Sequence, residues 1–278
     1  MKLSELAKMH PRDVRELIRK GEVDLPTSGM SEGYLQANLA ILPKKYAYDF
    51  LLFAQRNPKP CPILEVLDEG SPLTKIMADG ADIRTDVPRY RIYKNGEFVE
   101  EVKDLKDVWQ DDFVTFVIGC SFSFEKAMLE ADVPVRHIED EHNVPMYITN
   151  IATEPAGIFH GNTVVSMRPI PYKDIVRATT VTARFPATHG APIHIGDPAV
   201  IGIKDVDKPD FGERSEIKEG EVPVFWACGV TPQAVAMASK PEIMITHAPG
   251  HMLILDKKDS YVSAVSYTHL TLPTTPYV

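Results

Sequence analysis

Two short segments of this chain repeat one pattern of reactive residues. Phe116 to Met128 reads Phe-Val-Ile-Gly-Cys-Ser-Phe-Ser-Phe-Glu-Lys-Ala-Met, and Phe225 to Met237 reads Phe-Trp-Ala-Cys-Gly-Val-Thr-Pro-Gln-Ala-Val-Ala-Met. Each is an apolar, strand-like run that reaches a cysteine (Cys120, Cys228). A hydroxyl follows three positions on (Ser123, Thr231), then a Glu or Gln two further (Glu125, Gln233), then a helical stretch. A strand that turns tightly into a helix leaves backbone N–H groups unpaired at the positive end of the helix dipole. Such ends bind anions without a charged side chain. Two of them predict a pocket for a small carboxylate, with Ser121, Ser123, Gly229 and Thr231 as its binding residues. The thiols of Cys120 and Cys228 offer a nucleophile, since a helix N-terminus stabilises a thiolate; the plainer reading is a small buryable residue at a strand end. Ser123 and Thr231 read equally as helix N-caps, with Pro232 in the favoured next position. Glu125 is either a first-turn acid that suits the dipole or an acid–base group.

Two further segments hold imidazoles. Arg184-Phe-Pro-Ala-Thr-His-Gly-Ala-Pro-Ile-His-Ile-Gly-Asp-Pro gathers Arg184, His189, His194 and Asp197, and Thr246-His-Ala-Pro-Gly-His-Met puts His247 and His251 around Pro249-Gly250. Arg184 is a candidate bidentate clamp for a carboxylate. Imidazoles move protons near neutrality, which makes His189 and His247 candidate catalytic residues and His194 and His251 candidate substrate contacts. Structural roles for each stay open. Two His and an Asp also have a metal-ligand composition, but Pro192 interrupts the loop and no helical spacing supports it. No cofactor is identified, and a divalent metal stays open. Arg84, Arg89 and Arg91 read as a solvated hairpin face. No Gly-x-Gly-x-x-Gly, phosphate loop or Cys-x-x-Cys is present, so nucleotide and structural-zinc readings lack support.

The elements that would position these groups alternate. Pro11 opens a helix that Gly21 stops. A second helix is expected over Gly33–Leu42, ended by Pro43, and a third from Lys45 to about Arg56. Strands are expected at Pro62–Leu67, Phe113–Ile118, Met146–Ile151, Asn162–Met167, Ala178–Ala183, Val222–Ala227, Ile243–Thr246 and Met252–Leu255. Asn95-Gly96 marks a type I′ hairpin. The pattern predicts an α/β fold, a layered mixed sheet flanked by helices with a smaller inserted α+β domain. The layered part would take residues 1–80 and 200–260, and the strand-rich part residues 81–199.

Composition bounds the function. The chain has 278 residues, 44% hydrophobic and 25% charged, with a formal net charge of -9. No basic stripe exists to neutralise phosphates, which argues against nucleic acid. No apolar run is long enough to span a bilayer, and the N-terminus lacks the apolar core of a signal peptide. Three widely spaced cysteines do not make a disulfide framework. A reducing cytoplasm, a small carboxylate substrate and no membrane or nucleic-acid partner are the expectations, with homo-oligomerisation open. From Ser266 the chain reads Ser-Tyr-Thr-His-Leu-Thr-Leu-Pro-Thr-Thr-Pro-Tyr-Val, which looks like translated adapter sequence and is expected to pack loosely.

Seven segments resemble one family. They are Gly29-Met-Ser-Glu-Gly-Tyr-Leu-Gln-Ala-Asn-Leu-Ala-Ile-Leu-Pro, Asn57-Pro-Lys-Pro-Cys-Pro, Asp82-Ile-Arg-Thr-Asp-Val-Pro-Arg-Tyr-Arg, the run from Gly119 to Glu125, the run from Phe185 to Pro198, Trp226-Ala-Cys-Gly-Val-Thr-Pro-Gln, and Ile245-Thr-His-Ala-Pro-Gly-His-Met. The family is that of bacterial hydro-lyases related to the mitochondrial D-glutamate cyclase. The likeness runs from about Pro11 to Asp256, and divergence beyond Asp256 agrees with a foreign tail. It implies a carbon–oxygen lyase, with dehydration of D-glutamate to 5-oxo-D-proline as the reaction characterised among relatives. On that reading Arg184 and one helix N-terminus hold the α-carboxylate, and the other N-terminus, at Gly119–Ser123 or Gly229–Thr231, forms an oxyanion hole. His189 or His247 takes the ammonium proton, and a second His or Glu125 protonates the departing oxygen. A non-catalytic carboxylate-binding or accessory subunit in 5-oxoproline or amino-acid metabolism is the alternative.

Overall fold

The computed structural model describes residues 2–264. The chain starts with α1 (Leu3–Leu6) and α2 (Pro11–Arg19), followed by β1 (Tyr34–Pro43), α3 (Lys44–Arg56), β2 (Ile63–Val66), β3 (Tyr90–Lys94), β4 (Glu97–Val102) and β5 (Phe113–Gly119). A 3-10 turn at Ser121–Phe124 leads into α4 (Glu125–Glu130), then α5 (Arg136–Glu139), β6 (Met146–Ala152) and β7 (Asn162–Pro171). The rest is α6 (Ile175–Ala183), β8 (His194–Ile195), β9 (Glu221–Ala227), α7 (Thr231–Ser239), β10 (Met244–His247) and β11 (Leu253–Lys258). The foreign-looking tail from Ser266 lies outside the described residues. Among these residues no helix is long and apolar enough to cross a membrane.

The strands form two antiparallel sheets, which makes the fold a layered α/β one. The first has the order β2-β5-β1-β10-β3-β4, with β11 also on β1; the second has the order β6-β7-β9-β8. In the first sheet β1 is the axis. It pairs with β5 along Ala37–Pro43 on one side, and on the other with β11 at Tyr34–Ala37 and β10 at Ala40–Ile41. Leu35, Ala37, Leu39 and Ile41 point into one core cluster, while Ala40 and Leu42 point into the other with Phe50, Phe53 and Phe116. In the second sheet Val224 and Trp226 face one cluster, and Val165, Met167 and Phe225 face another.

Two expected elements change type. The stretch expected as a helix over Gly33–Leu42 is β1, every residue of which from Leu35 on is buried. A central strand covered on both faces reads as an unbroken apolar run without alternation, and periodicity cannot separate that from a buried helix. Ala178–Ala183, expected as a strand from its Thr and Val content, is the end of α6. Only Ala178 and Thr182 of α6 are buried, one helical turn apart. The remaining expected strands form, as does the hairpin, with Asn95 at φ 52° and Gly96 at φ 82°. The expected division near residues 80 and 200 does not follow the sheets. β3, β4 and β5 belong to the first sheet with β1, and β9 joins β7 in the second.

Gly119 closes β5 against the 3-10 turn at Pro186–Thr188, where a Cβ would run into the Ala187 carbonyl. Overpacking against backbone costs about 1–3 kcal/mol. Gly119→Ala is therefore expected to lower the urea midpoint by that amount of stability, with the denaturant slope unchanged.

Candidate active site

The repeated phrase is a repeated structural device. β5 leaves the sheet after Gly119, opposite Ala37, so the next residue of β1, Gln36, has no ladder partner on that side. The Ser123 hydroxyl takes that place, accepting from the Gln36 N–H at 3.0 Å and donating to its carbonyl at 3.3 Å. β9 leaves after Ala227, opposite Val165. Thr231 accepts from the Val164 N–H at 3.0 Å and donates to the Cys228 carbonyl at 2.7 Å. Neither hydroxyl is a helix N-cap, contrary to expectation; both extend a β-ladder where the strand turns away.

The following polar residue of each copy crosses to the other sheet. Gln233, after β9 of the second sheet, accepts from Tyr93 Oη at 3.0 Å and donates to the His247 carbonyl at 2.9 Å, both in the first sheet. Glu125, after β5 of the first sheet, pairs with Arg168 of β7 in the second. The two corners thus clasp the sheets reciprocally. They also meet, since Cys120, Phe122, Cys228 and Val230 share one apolar cluster.

The corners nevertheless spend part of their amide set internally. The N–H groups of Ser123 and Thr231 donate to the carbonyls of Cys120 (3.1 Å) and Cys228 (3.0 Å). Those of Phe122 and Val230 lie near enough to the cysteine thiols to favour their ionised forms, though less than burial opposes them. Packed side chains fill the space between the turns, and Gly229 abuts Asn38 so closely that a Cβ has no room. Burial pushes the Cys120 thiol up and the Cys228 thiol up to about 11. Both are neutral thiols at pH 7 and therefore weak nucleophiles.

The charged centre is Glu125, only 2% exposed. Arg168, fully buried between the rings of Phe124 (5.3 Å) and Trp226 (5.4 Å), donates to its Oε1. The same guanidinium donates to Ser121 Oγ and Ser166 Oγ, each at 3.1 Å. Ser28 Oγ donates to Glu125 Oε2 at 3.0 Å, and His137 Nε2 lies 2.9 Å from Oε1, off the ideal hydrogen-bond line. Burial alone would raise the Glu125 carboxyl; the charges and hydrogen bonds of His137 and Arg168 outweigh it and bring it down to about 2. Burial also lowers His137, against the pull of Glu125, so the imidazole is neutral near pH 7. Arg168, which cannot lose its charge, is then the group that keeps Glu125 ionised.

Glu125 lines one of two neighbouring cavities, and its partners Ser28 and His137 line the other. One, of about 390 Å³, is lined by Tyr34, Gln36, Ser123, Glu125 and Lys126. The other, of about 530 Å³, is lined by Ser28, His137 and His142. Met30 and Ile138 line both and form the wall between them. Gln36 fixes the loop that carries Ser28 and Met30 by donating to the Thr27 carbonyl at 2.8 Å and the Met30 carbonyl at 3.3 Å.

Of the residues expected from sequence, Ser121, Ser123 and Glu125 come together here. The imidazoles do not. His247 Nδ1 accepts from the Leu39 N–H at 3.1 Å, where β1 changes partner between β11 and β10, and burial pushes the ring down to about 3. With that lone pair engaged, His247 has no basic nitrogen to offer. His189 sits at φ 80° and donates from Nδ1 to the Lys59 carbonyl at 2.8 Å; burial pushes it down to about 4. His194 donates to the Asp197 carbonyl and His251 to the Pro249 carbonyl. None of these four lines either cavity, and Arg184 is exposed at the end of α6, outside both linings. Among the described residues no three His, Cys, Asp or Glu side chains are grouped to hold a metal ion, so His189, His194 and Asp197 are not a ligand set.

Sequence reasoning missed Arg168 and His137. The signal for Arg168 was present: a lone cation inside the apolar run Val164-Val-Ser-Met-Arg-Pro-Ile, where an unpaired charge is prohibitive. Nothing local distinguishes His137.

Two outcomes follow from these charges. Arg168→Met leaves Glu125 buried without its cation and is expected to cost about 3–5 kcal/mol in urea unfolding. His189 and His247 have folded values below the ordinary 6.5, so the stability they confer is complete above pH 6.5 and lost as pH falls towards about 4 and 3. Each contributes a slope of up to about 1.4 kcal/mol per pH unit. Unfolding free energy should be nearly level from pH 7.5 to 6.5 and fall from there to pH 5, less steeply in His247→Gln.

A family model described as D-glutamate cyclase matches residues 114–256. A Psychrobacter arcticus protein named "Putative hydro-lyase" is 68% identical over 92% of this chain and 97% of its own length. Proteins of the same name from Bacillus pumilus (63% identical, 92% and 97% covered) and, as "Putative hydro-lyase YcsI", from Bacillus subtilis (61%, 92% and 100%) are similar. A nitrogen repressor-like protein of Methanococcus jannaschii, of known structure, covers 84% of this chain and 91% of its own at 12% identity, with a TM-score of 0.37, too low to bear on fold or function. At such identity over nearly its whole length, the chain belongs to the D-glutamate cyclase family, a family of hydro-lyase enzymes.

Proposed function

We propose that the protein dehydrates D-glutamate to 5-oxo-D-proline in the divided cavity around Glu125. The observation that carries the reading is a buried, ionised carboxylate that lines one cavity, whose walls include residues of Gly29–Gln36 and Phe122–Glu125, while its partners Ser28 and His137 line a second. Both segments belong to the motifs through which the chain resembles the family. Volumes of about 390 and 530 Å³ fall in the range of small-molecule sites, about 300–1,000 Å³.

The chemistry suits a compensated ion pair. The substrate nitrogen bonds to the side-chain carboxyl carbon, a C–O bond breaks, and the two protons lost by nitrogen depart with that oxygen as water. Substrate and product both carry one net negative charge, so the site need only redistribute charge. Glu125 supplies a fixed negative field for the ammonium, and Arg168 prevents that field from being lost by protonation. A cytoplasmic setting suits the three free, buried cysteines.

The test is product analysis with D- and L-glutamate, alongside calorimetric binding. Conversion of D-glutamate to 5-oxo-D-proline is expected, with Glu125→Gln slower by roughly a hundredfold or more in protein shown by circular dichroism to be folded. Binding without conversion would instead favour an accessory carboxylate-binding role.

A further inference from the structure

We infer that His137 is the residue that carries a proton from the substrate nitrogen to the departing oxygen, acting from the larger of the two cavities. This rests on the D-glutamate reading. His137 lies in α5, is 1% exposed, and is the one imidazole among the described residues in contact with a carboxylate. His189 and His247 each commit Nδ1 to the backbone instead. His137 Nε2 lies in charge contact with Glu125 Oε1, Ser28 donates to Oε2, and both line the 530 Å³ cavity. One carboxylate thus presents an imidazole and a hydroxyl to the same space, the arrangement by which a buried acid orients a proton-transferring base.

The tautomer follows from electrostatics. A lone pair on Nε2 would be repelled by a carboxylate oxygen 2.9 Å away, so the neutral ring keeps its proton there and Nδ1 is the basic nitrogen. In the reaction Nδ1 takes one proton from the ammonium, and the resulting imidazolium is stabilised by Glu125. The neutral amine attacks the side-chain carboxyl carbon. The imidazolium then returns its proton to the oxygen whose C–O bond breaks, and the second nitrogen proton leaves on the same oxygen. Two protons leave nitrogen, one water departs, and His137 ends neutral.

Several groups bear on this ring. Glu125 of α4 favours its protonation, whereas Arg168 of β7 and His142 beyond α5 oppose it. Phe122 lies against it at 5.9 Å, and on its own helix Arg136 is paired with Glu139 and with Glu221. Removing the ring should therefore change the acidic limb of the pH profile as well as the rate.

The experiment compares His137→Gln and His137→Ala with wild type, using kcat, KM and their pH dependence on D-glutamate, with thermal melts to establish folding. His137→Gln is expected to lose roughly 10²–10⁴-fold in kcat with little change in KM, and to lose the acidic limb. Added imidazole should restore part of the activity of His137→Ala, with the pH dependence of free imidazole; a purely structural role would give no such rescue. Wild-type kcat and profile in His137→Gln would overturn the assignment. Nitrogen NMR of histidine-labelled wild type gives an arm independent of substrate: His137 is expected to be neutral at pH 7 with its proton on Nε2. A cationic ring or a proton on Nδ1 would overturn the relay even if D-glutamate is turned over. Should D-glutamate not be converted, the substrate assignment fails and the relay fails with it as a step of that reaction, whereas loss of the relay alone leaves conversion in wild type intact.

Discussion

Burying a guanidinium and a carboxylate together constrains everything around the Glu125–Arg168 pair. Removing two charges from water costs several kcal/mol each, recovered only if both are well partnered. Glu125 meets this with Arg168, Ser28 and His137, and Arg168 meets it with Ser121, Ser166 and two aromatic faces. These partners come from both sheets and from the loop before β1. The pair forms only when the sheets dock in one register. Its electrostatics therefore specify the docking, and the docking fixes the charge that the proposed chemistry uses.

The repeated corner explains how such a junction is built from ordinary parts. In each copy a strand leaves its sheet at a small residue, and a hydroxyl three positions after the cysteine satisfies the backbone the strand abandoned. The next polar side chain then reaches the opposite sheet. In one copy that residue is neutral, and Gln233 bonds Tyr93 and a backbone carbonyl. In the other it is charged, and a cation and an imidazole are recruited. The same geometry gives an inert clasp on one side and a titratable, cavity-lining one on the other. The difference lies in one side chain, since Gln offers no charge to be stabilised.

The histidines divide on the same principle. His247 fills a gap in the β1 ladder and His189 anchors a loop to the backbone, and both are held neutral by burial. Such residues look catalytic in sequence because imidazole is chemically versatile. In the fold their Nδ1 atoms are committed to the main chain, and neither ring lines the cavities beside Glu125. His137 differs because its partner is a carboxylate.

Local sequence determined the turns, most strands, the hairpin and the helix that Pro11 opens, because these rest on backbone preferences and short-range pairing. It also determined that Ser121, Ser123 and Glu125 belong together, since they share one turn, and the longer motifs determined the family. Other features depended on contacts between residues distant in the chain. Whether Tyr34–Pro43 is helix or strand was decided by neighbours on both edges, supplied by residues up to 258. That the Ser123 and Thr231 amides turn back onto the Cys120 and Cys228 carbonyls was decided by how each strand leaves its sheet. Arg184 stayed at the surface while Arg168 entered the core, because only Arg168 lies on a strand facing Glu125. Ser28, Glu125, His137 and Arg168 span about half the chain, and only docking of the two sheets brings them within hydrogen-bonding or charge-contact reach of one carboxylate.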